Sequence, residues 1–108
     1  MGAGILGGFE HQVLLAAMNL DEAGAYTVNV VEMLEDRTGR APAPAAVFTT
    51  LKRLEARGLL RSSMEPSPVG GRPRRMFYLE PEGRRVLRES REALERLWAG
   101  PPAEGRTS

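Results

Sequence analysis

The sequence predicts a mainly helical α+β domain in which three helices precede a two-stranded hairpin and a fourth helix. Apolar residues recur at helical spacing in three successive segments of the first half of the chain. Two strand-like stretches then flank a loop rich in glycine and proline, and helical spacing resumes between Pro81 and Trp98. A chain of 108 residues is long enough for one domain with a modest core.

The first two helices differ in the arrangement of their apolar residues. The segment FEHQVLLAAMNL is apolar on nearly every side, which predicts that more than one of its faces is buried. The segment YTVNVVEMLEDRTG carries one inward stripe, formed by Val28, Val31 and Leu34 with Tyr26 as a further candidate, and Gly39 ends the helix.

The third helix, AAVFTTLKRLEARG, follows Pro44, which suits a first helical turn, and it stops at Gly58. Val47, Leu51 and Leu54 share a core-facing stripe, so the opposite face is small, hydroxyl-bearing and basic. In a major groove, Lys or Arg reads guanine and Thr contacts a thymine methyl or a phosphate. An ordinary solvated helix face is the alternative. The residues predicted to contact DNA from this helix are Phe48, Thr49, Thr50, Lys52 and Arg53.

The hairpin carries three arginines at or near its tip, Arg72, Arg74 and Arg75. Like charges on a short loop repel one another, and a bound polyanion would offset that cost. Gly70 and Gly71 allow the tip to turn and its backbone to approach a surface closely. We therefore predict that all three arginines contact DNA, with pairing to glutamates of the last helix as the alternative for Arg75.

The net charge of +1 conceals an uneven distribution along the chain. Residues 1–48 hold two arginines and six carboxylates, a net charge of −4. Residues 49–79 hold seven cationic and two acidic residues, a net charge of +5, and residues 80–108 hold six of each sign. A basic stretch confined to the third helix and the hairpin fits nucleic acid better than a membrane surface.

The last helix has no further domain to pack against, which predicts a homodimer. The side chains assigned to the dimer interface are the apolar ones of the first and last helices: Val13, Leu14, Met18, Leu87, Leu94, Leu97 and Trp98. The predicted organisation is a flexible N-terminal lead (1–8), a DNA-binding domain (9–79), a dimerisation helix (80–98) and a disordered tail (99–108).

Three helices, a two-stranded wing and one more helix form the winged helix-turn-helix order, and four segments resemble the PadR family of bacterial transcriptional regulators. These are AYTVNVVEMLEDRTGR, AVFTTLKRLEARGLL for the recognition helix, GGRPRRMFYL for the wing and PEGRRVL at the start of the last helix. The resemblance covers residues 9–98. Four positions depart from the family pattern: Thr27 and Ala45 replace glycine, Phe48 replaces tyrosine and Glu80 replaces threonine.

The resemblance implies a homodimeric repressor that binds a pseudo-palindromic operator in double-stranded DNA. The single C-terminal helix resembles that of the compact subgroup of the family. Some members sense flat aromatic or drug-like molecules between the last helices of the dimer. Met18, Leu94 and Trp98 are the corresponding candidates here, and the lack of a fixed charge at Trp98 favours a neutral or cationic compound.

Other functions find little support in the sequence. There is no cysteine, and His11 is the only histidine, so neither a metal site nor a catalytic triad is predicted. The segment GAGILG matches a dinucleotide fingerprint, but no strand precedes it. We predict a cytoplasmic regulator without a cofactor, a membrane segment or enzyme activity. The alternative is a winged-helix module that binds a protein partner and leaves DNA alone.

Overall fold

The computed structural model describes residues 6–101 and has the predicted order of elements. The helices are α1 (Gly8–Leu20), α2 (Thr27–Thr38), α3 (Pro44–Ala56) and α4 (Pro81–Ala99), and the strands are β1 (Leu60–Glu65) and β2 (Arg74–Leu79). A 3₁₀ turn, Asp21–Ala23, joins α1 to the segment before α2. The fold class is confirmed. The predicted lead and tail fall partly on residues 1–5 and 102–108, which lie outside the described residues.

Helix α1 lies in the middle of the domain, where it contacts α2, α3, α4 and β2. Val13 and Leu14 are therefore completely buried within their own subunit, and Leu87 of α4 is 4% exposed. The prediction that Val13 and Leu14 form a dimer interface is wrong, because a second subunit cannot reach them. Leu87 lines a groove between α1 and α4, and its place in the interface stays a prediction. The several apolar faces of α1 are explained by its central position.

The inward stripe of α2 differs from the predicted one. Val30 and Leu34, four residues apart, are buried, whereas Val28 is 54% exposed. Val31 is only partly buried. The i, i+4 pair that faces the core thus replaces the predicted i, i+3 series, and Val28 lies on the outer side of the helix.

The hairpin pairs β1 with β2 in an antiparallel register that sets Leu60 opposite Leu79 and Ser62 opposite Phe77. An isolated bridge adds Ala25 to the other side of β2: its N–H donates to the Phe77 carbonyl over 2.9 Å, and the Phe77 N–H donates to the Ala25 carbonyl over 2.7 Å. The sequence did not predict this contact, since one residue carries no periodicity. It anchors the hairpin to the helical part of the domain.

Helix α4 begins against the domain and ends outside it. The Glu80 N–H donates to the Leu59 carbonyl over 3.0 Å, and Val86 is buried. Farther along, Leu94, Leu97 and Trp98 are 46%, 78% and 89% exposed. Within residues 6–101, no helix has both the length and the apolar character needed to cross a membrane.

Candidate nucleic-acid interface

The outer face of α3 presents Thr49, Lys52 and Arg53 to solvent, because Val47, Leu51 and Leu54 hold the opposite stripe in the core. The Lys52 Nζ lies 3.8 Å from an oxygen of Glu55, one helical turn away. Within residues 6–101, the Arg53 side chain forms no hydrogen bond or ion pair. The exposed end of the Arg53 side chain is therefore available to an external acceptor.

Two other residues predicted on this face have different environments. Thr50 is 4% exposed, because it lies three residues after Val47 and four before Leu54 on the inner stripe. The prediction that Thr50 contacts DNA is therefore wrong. Phe48 is 42% exposed, and its ring packs edge-to-face on Phe77 with centroids 6.5 Å apart. Phe48 thus joins α3 to the hairpin, and its contact with DNA stays a prediction.

The tip of the wing turns at Gly70 and Gly71, whose φ angles are +84° and +85°. Side chains other than glycine rarely adopt this backbone conformation, so the sequence pattern has a direct structural reason. Arg72 follows immediately and is exposed, and it forms no hydrogen bond or ion pair within the described part of the chain. It is the wing arginine most accessible to a polyanion.

Arg74, by contrast, is held by its own subunit. Its guanidinium lies 3.9 Å from the centre of the Tyr26 ring and donates a hydrogen bond to Ser67 Oγ over 3.0 Å. Because Tyr26 precedes α2, this stacking connects the tip end of β2 to the helix-turn-helix. If Arg74 contacts a phosphate, its guanidinium must do so while it also stacks on Tyr26 and bonds to Ser67.

Arg75 belongs to a chain of polar contacts that reaches α3. Arg75 Nη1 donates to Ser62 Oγ over 3.0 Å, and the Ser62 hydroxyl donates to Glu55 Oε2 over 2.6 Å. The observed partner of Arg75 is thus a serine of β1, and the suggested pairing with glutamates of α4 does not occur among the described residues. We call the set Arg75, Ser62, Glu55 and Lys52 the wing–helix relay.

The outer face of the hairpin carries a second polar cluster. The Tyr78 hydroxyl donates to Glu65 over 2.7 Å and Ser63 donates to the same carboxylate over 2.9 Å, which lowers the pKa of Glu65. The hydrogen bond to the Glu65 carboxylate also raises the pKa of Tyr78. Arg61 lies 5.1 Å from the centre of the Tyr78 ring and 3.8 Å from a carboxylate oxygen of Glu80. The sequence singled out neither cluster, although Arg61 belongs to the basic stretch.

A groove of about 440 Å³ lies between α1 and α4, away from these clusters. It brings together Met18, Leu94 and Trp98, the three side chains predicted to bind an effector. Three arginines also line it, Arg84, Arg88 and Arg91, together with His11 and the carboxylate of Glu95. Arg84 lies 3.9 Å from Asp21 and Arg91 donates to Glu95 over 3.0 Å, whereas Arg88 has no polar partner within residues 6–101.

Comparisons with known proteins agree with this architecture. The family model described as "Transcriptional regulator PadR-like family" matches residues 14–89. The transcriptional regulator Rv3488 of Mycobacterium tuberculosis is 48% identical over 61 residues, which are 56% of this chain and 55% of that protein. The match thus spans about half the length of that relative.

Two solved structures show the same arrangement of elements. A PadR family transcriptional regulator from Eggerthella lenta has a TM-score of 0.68 and 30% identity, and the alignment covers 89% of this chain and 82% of that one. A Streptococcus transcriptional regulator has a TM-score of 0.69 and 23% identity, with 93% and 92% of the two chains covered. The second likeness concerns the fold alone.

Proposed function

Because the chain belongs to the PadR-like family of transcriptional regulators, we propose that it is a homodimeric repressor that binds a pseudo-palindromic operator in double-stranded DNA. Regulators of this family are not enzymes, which confirms that part of the prediction. Repression, the dimer, the operator and a cytoplasmic location are inferences from the site and the family.

The observation that carries the proposal is the physical connection between the recognition helix and the wing. Thr49, Lys52 and Arg53 are exposed on α3, and the wing–helix relay connects that helix to the two strands whose joining loop carries Arg72. A helix can enter the major groove while cationic side chains beside it contact phosphates. The side chains of Arg53 and Arg72 have no polar partner among residues 6–101. We expect these two arginines to contribute most to DNA binding.

The rival function is a winged-helix module that binds a protein. Exposed arginines on both α3 and the wing favour a polyanion over such a partner, because their mutual repulsion is offset when phosphates neutralise them. Binding to random duplex DNA that weakens as the salt concentration rises distinguishes the two functions. If the chain binds no duplex at low salt, the DNA-binding function is rejected in favour of the protein-binding module.

The homodimer is proposed from the exposed apolar end of α4. Leu94, Leu97 and Trp98 form a stripe that a second copy of α4 can cover. The sequence assigned three side chains of α1 to the interface, and only Met18, which lines the adjoining groove, is kept in this proposal. A planar effector in this groove would act by changing how the two subunits are arranged.

Mutation of the recognition helix tests the operator contacts. Fragments bound from the organism's own genomic DNA supply the operator, and a titration at fixed salt measures its affinity. We expect Lys52→Ala or Arg53→Ala to weaken operator binding by about 1–3 kcal/mol and to relax the preference at one base pair.

The matched control is Arg96→Ala, which removes the same charge from an exposed position on α4. We expect Arg96→Ala to bind the operator as the parent does. Parent-like operator affinity of both Lys52→Ala and Arg53→Ala would remove α3 from the proposed interface.

A further inference from the structure

Ser62 lies where the hairpin leaves the core. Along the inner face of β1, Leu60 is buried, Ser62 is half-buried and Met64 is 56% exposed. The residue opposite Ser62 in the sheet is Phe77, which is 1% exposed, and Arg75 is its diagonal neighbour toward the tip. A polar group here lies on the face toward α3, between the packed part of the sheet and the exposed end of the wing.

The two hydrogen bonds of Ser62 have a defined direction. A guanidinium only donates and an ionised carboxylate only accepts, so the hydroxyl accepts from Arg75 and donates to Glu55. The 2.6 Å bond to Glu55 has the length of a charge-assisted hydrogen bond, the stronger kind. One hydroxyl on β1 therefore links a side chain of β2 to a side chain of α3.

We propose that Ser62, together with Glu55, is a positioning residue that holds the wing at the angle at which the wing and α3 contact DNA at the same time. This inference rests on the proposed function and adds to it: selectivity for the operator depends on a serine that itself contacts no DNA. Lys52, Arg53 and Arg72 bind the DNA, and the wing–helix relay sets the distance between them.

The same relay prepares Lys52 for DNA. In the free protein, Lys52 Nζ lies 3.8 Å from Glu55, and the two side chains are 46% and 29% exposed, so their attraction is weak. A base or a phosphate can therefore replace Glu55 as the partner of Lys52 at little cost in free energy. Glu55 keeps its hydrogen bond to Ser62 when this happens, so its carboxylate is not left without a partner.

Other contacts hold the hairpin on the domain when the relay is removed. The paired hydrogen bonds between Ala25 and Phe77, the packing of Phe48 on Phe77 and the stacking of Arg74 on Tyr26 do not involve Ser62. A Ser62→Ala variant is therefore expected to fold, with a wing whose angle to α3 is less defined.

The experiment measures the affinity of the full chain for the operator and for a random duplex at one salt concentration. We expect Ser62→Ala to lower operator affinity about fivefold, and random-duplex affinity less than twofold. Ser62→Thr keeps a hydroxyl in a strand-compatible side chain and should bind as the parent does. Ser63→Ala is the matched control, because its hydroxyl donates to Glu65.

A second measurement separates positioning from stability. Arg72→Ala is expected to lower operator affinity about fivefold in the parent and less than twofold in the Ser62→Ala background. The second effect is smaller because Arg72 contributes less to binding when the wing is misplaced. Parent-like operator affinity of Ser62→Ala, equal losses on operator and random DNA, or the same cost of Arg72→Ala in both backgrounds would each overturn the proposal. The proposed function itself fails if the parent protein binds no duplex, which is a different outcome from any of these three.

Discussion

At the scale of single residues, α4 comes very close at Gly83 to the chain that leads into β1. A Cβ added there would lie 2.3 Å from the Leu59 carbonyl oxygen and 2.7 Å from the Leu79 side chain. The backbone of Leu59 cannot move freely, because its oxygen also accepts the hydrogen bond from the Glu80 N–H. Glycine at this position is what lets α4 begin directly on the sheet.

Gly83→Ala is therefore expected to reduce the free energy of unfolding by about 1–3 kcal/mol through overpacking, as measured by denaturant unfolding. Gly8→Ala serves as the control, since an added Cβ there meets no atom within 4 Å. The control should leave the free energy of unfolding unchanged or raise it by up to about 1 kcal/mol. Equal stability of the two variants would show that α4 can shift to make room.

Single residues also show which inferences sequence patterns support. The exposure of Thr49, Lys52 and Arg53 was predictable, because helical spacing relates them to an unambiguous apolar stripe. Thr50 was misplaced because its polar side chain suggested the surface, whereas its spacing put it on the buried stripe. Val13 was misplaced because one chain's pattern does not reveal how many neighbours surround a helix. Side-chain partners such as Ser62 and Glu55 follow from tertiary contacts that no local pattern encodes.

At the scale of elements, the hairpin depends on hydrogen bonds on both of its faces. On the outer face, the Glu65 carboxylate accepts from Tyr78, which lowers the pKa of Glu65 from 4.5 and raises the pKa of Tyr78 from 10.0. The contribution of Glu65 to stability is present above its unfolded pKa and is lost as the pH falls through its lower folded pKa. The contribution of Tyr78 is present below its unfolded pKa and is lost as the pH rises through its higher folded pKa.

Tyr78→Phe should therefore lower the melting temperature most between about pH 5 and about pH 9, with a smaller difference from the parent in stronger acid or base. The ring that stacks with Arg61 is retained, so the change isolates the hydroxyl. Tyr26→Phe is the control, because the Tyr26 hydroxyl has no partner among residues 6–101 and its ring still stacks on Arg74. A Tyr78→Phe deficit that stays constant from acid to base would contradict this origin of hairpin stability.

At the scale of the whole molecule, the exposed stripe of α4 predicts a dimer at micromolar concentration. Sedimentation should give about twice the 11.8 kDa of one chain. Leu94→Glu places a charge in the stripe and is expected to yield monomers with a lower melting temperature. Arg96→Gln changes the net charge by the same amount on the opposite side of the helix and should leave the dimer intact. A parent that sediments as a monomer would contradict the assembly.

The chemistry expected of the proposed effector also belongs to the scale of the whole molecule, because the groove combines side chains of α1 and α4. Trp98 and Met18 offer a flat and an adaptable apolar wall, respectively. Arg88 lines the same groove without a polar partner in the described part of the chain, although no fixed charge neighbours Trp98 in the sequence. From the free guanidinium of Arg88 we expect a planar aromatic acid to bind better than the neutral or cationic compound that the sequence suggested, and the charge of the effector stays a prediction.

The only tryptophan of the chain provides the measurement. Planar aromatic acids and their neutral amides are titrated while Trp98 fluorescence and operator affinity are followed together. The acids are expected to quench Trp98 more strongly than the amides and to weaken operator binding, because the effector favours a dimer whose recognition helices no longer match major grooves one turn, or about 34 Å, apart. Arg88→Gln should remove the advantage of the acids, and Arg96→Gln should retain it. If no compound that quenches Trp98 changes operator affinity, Trp98 belongs to the dimer core and senses nothing.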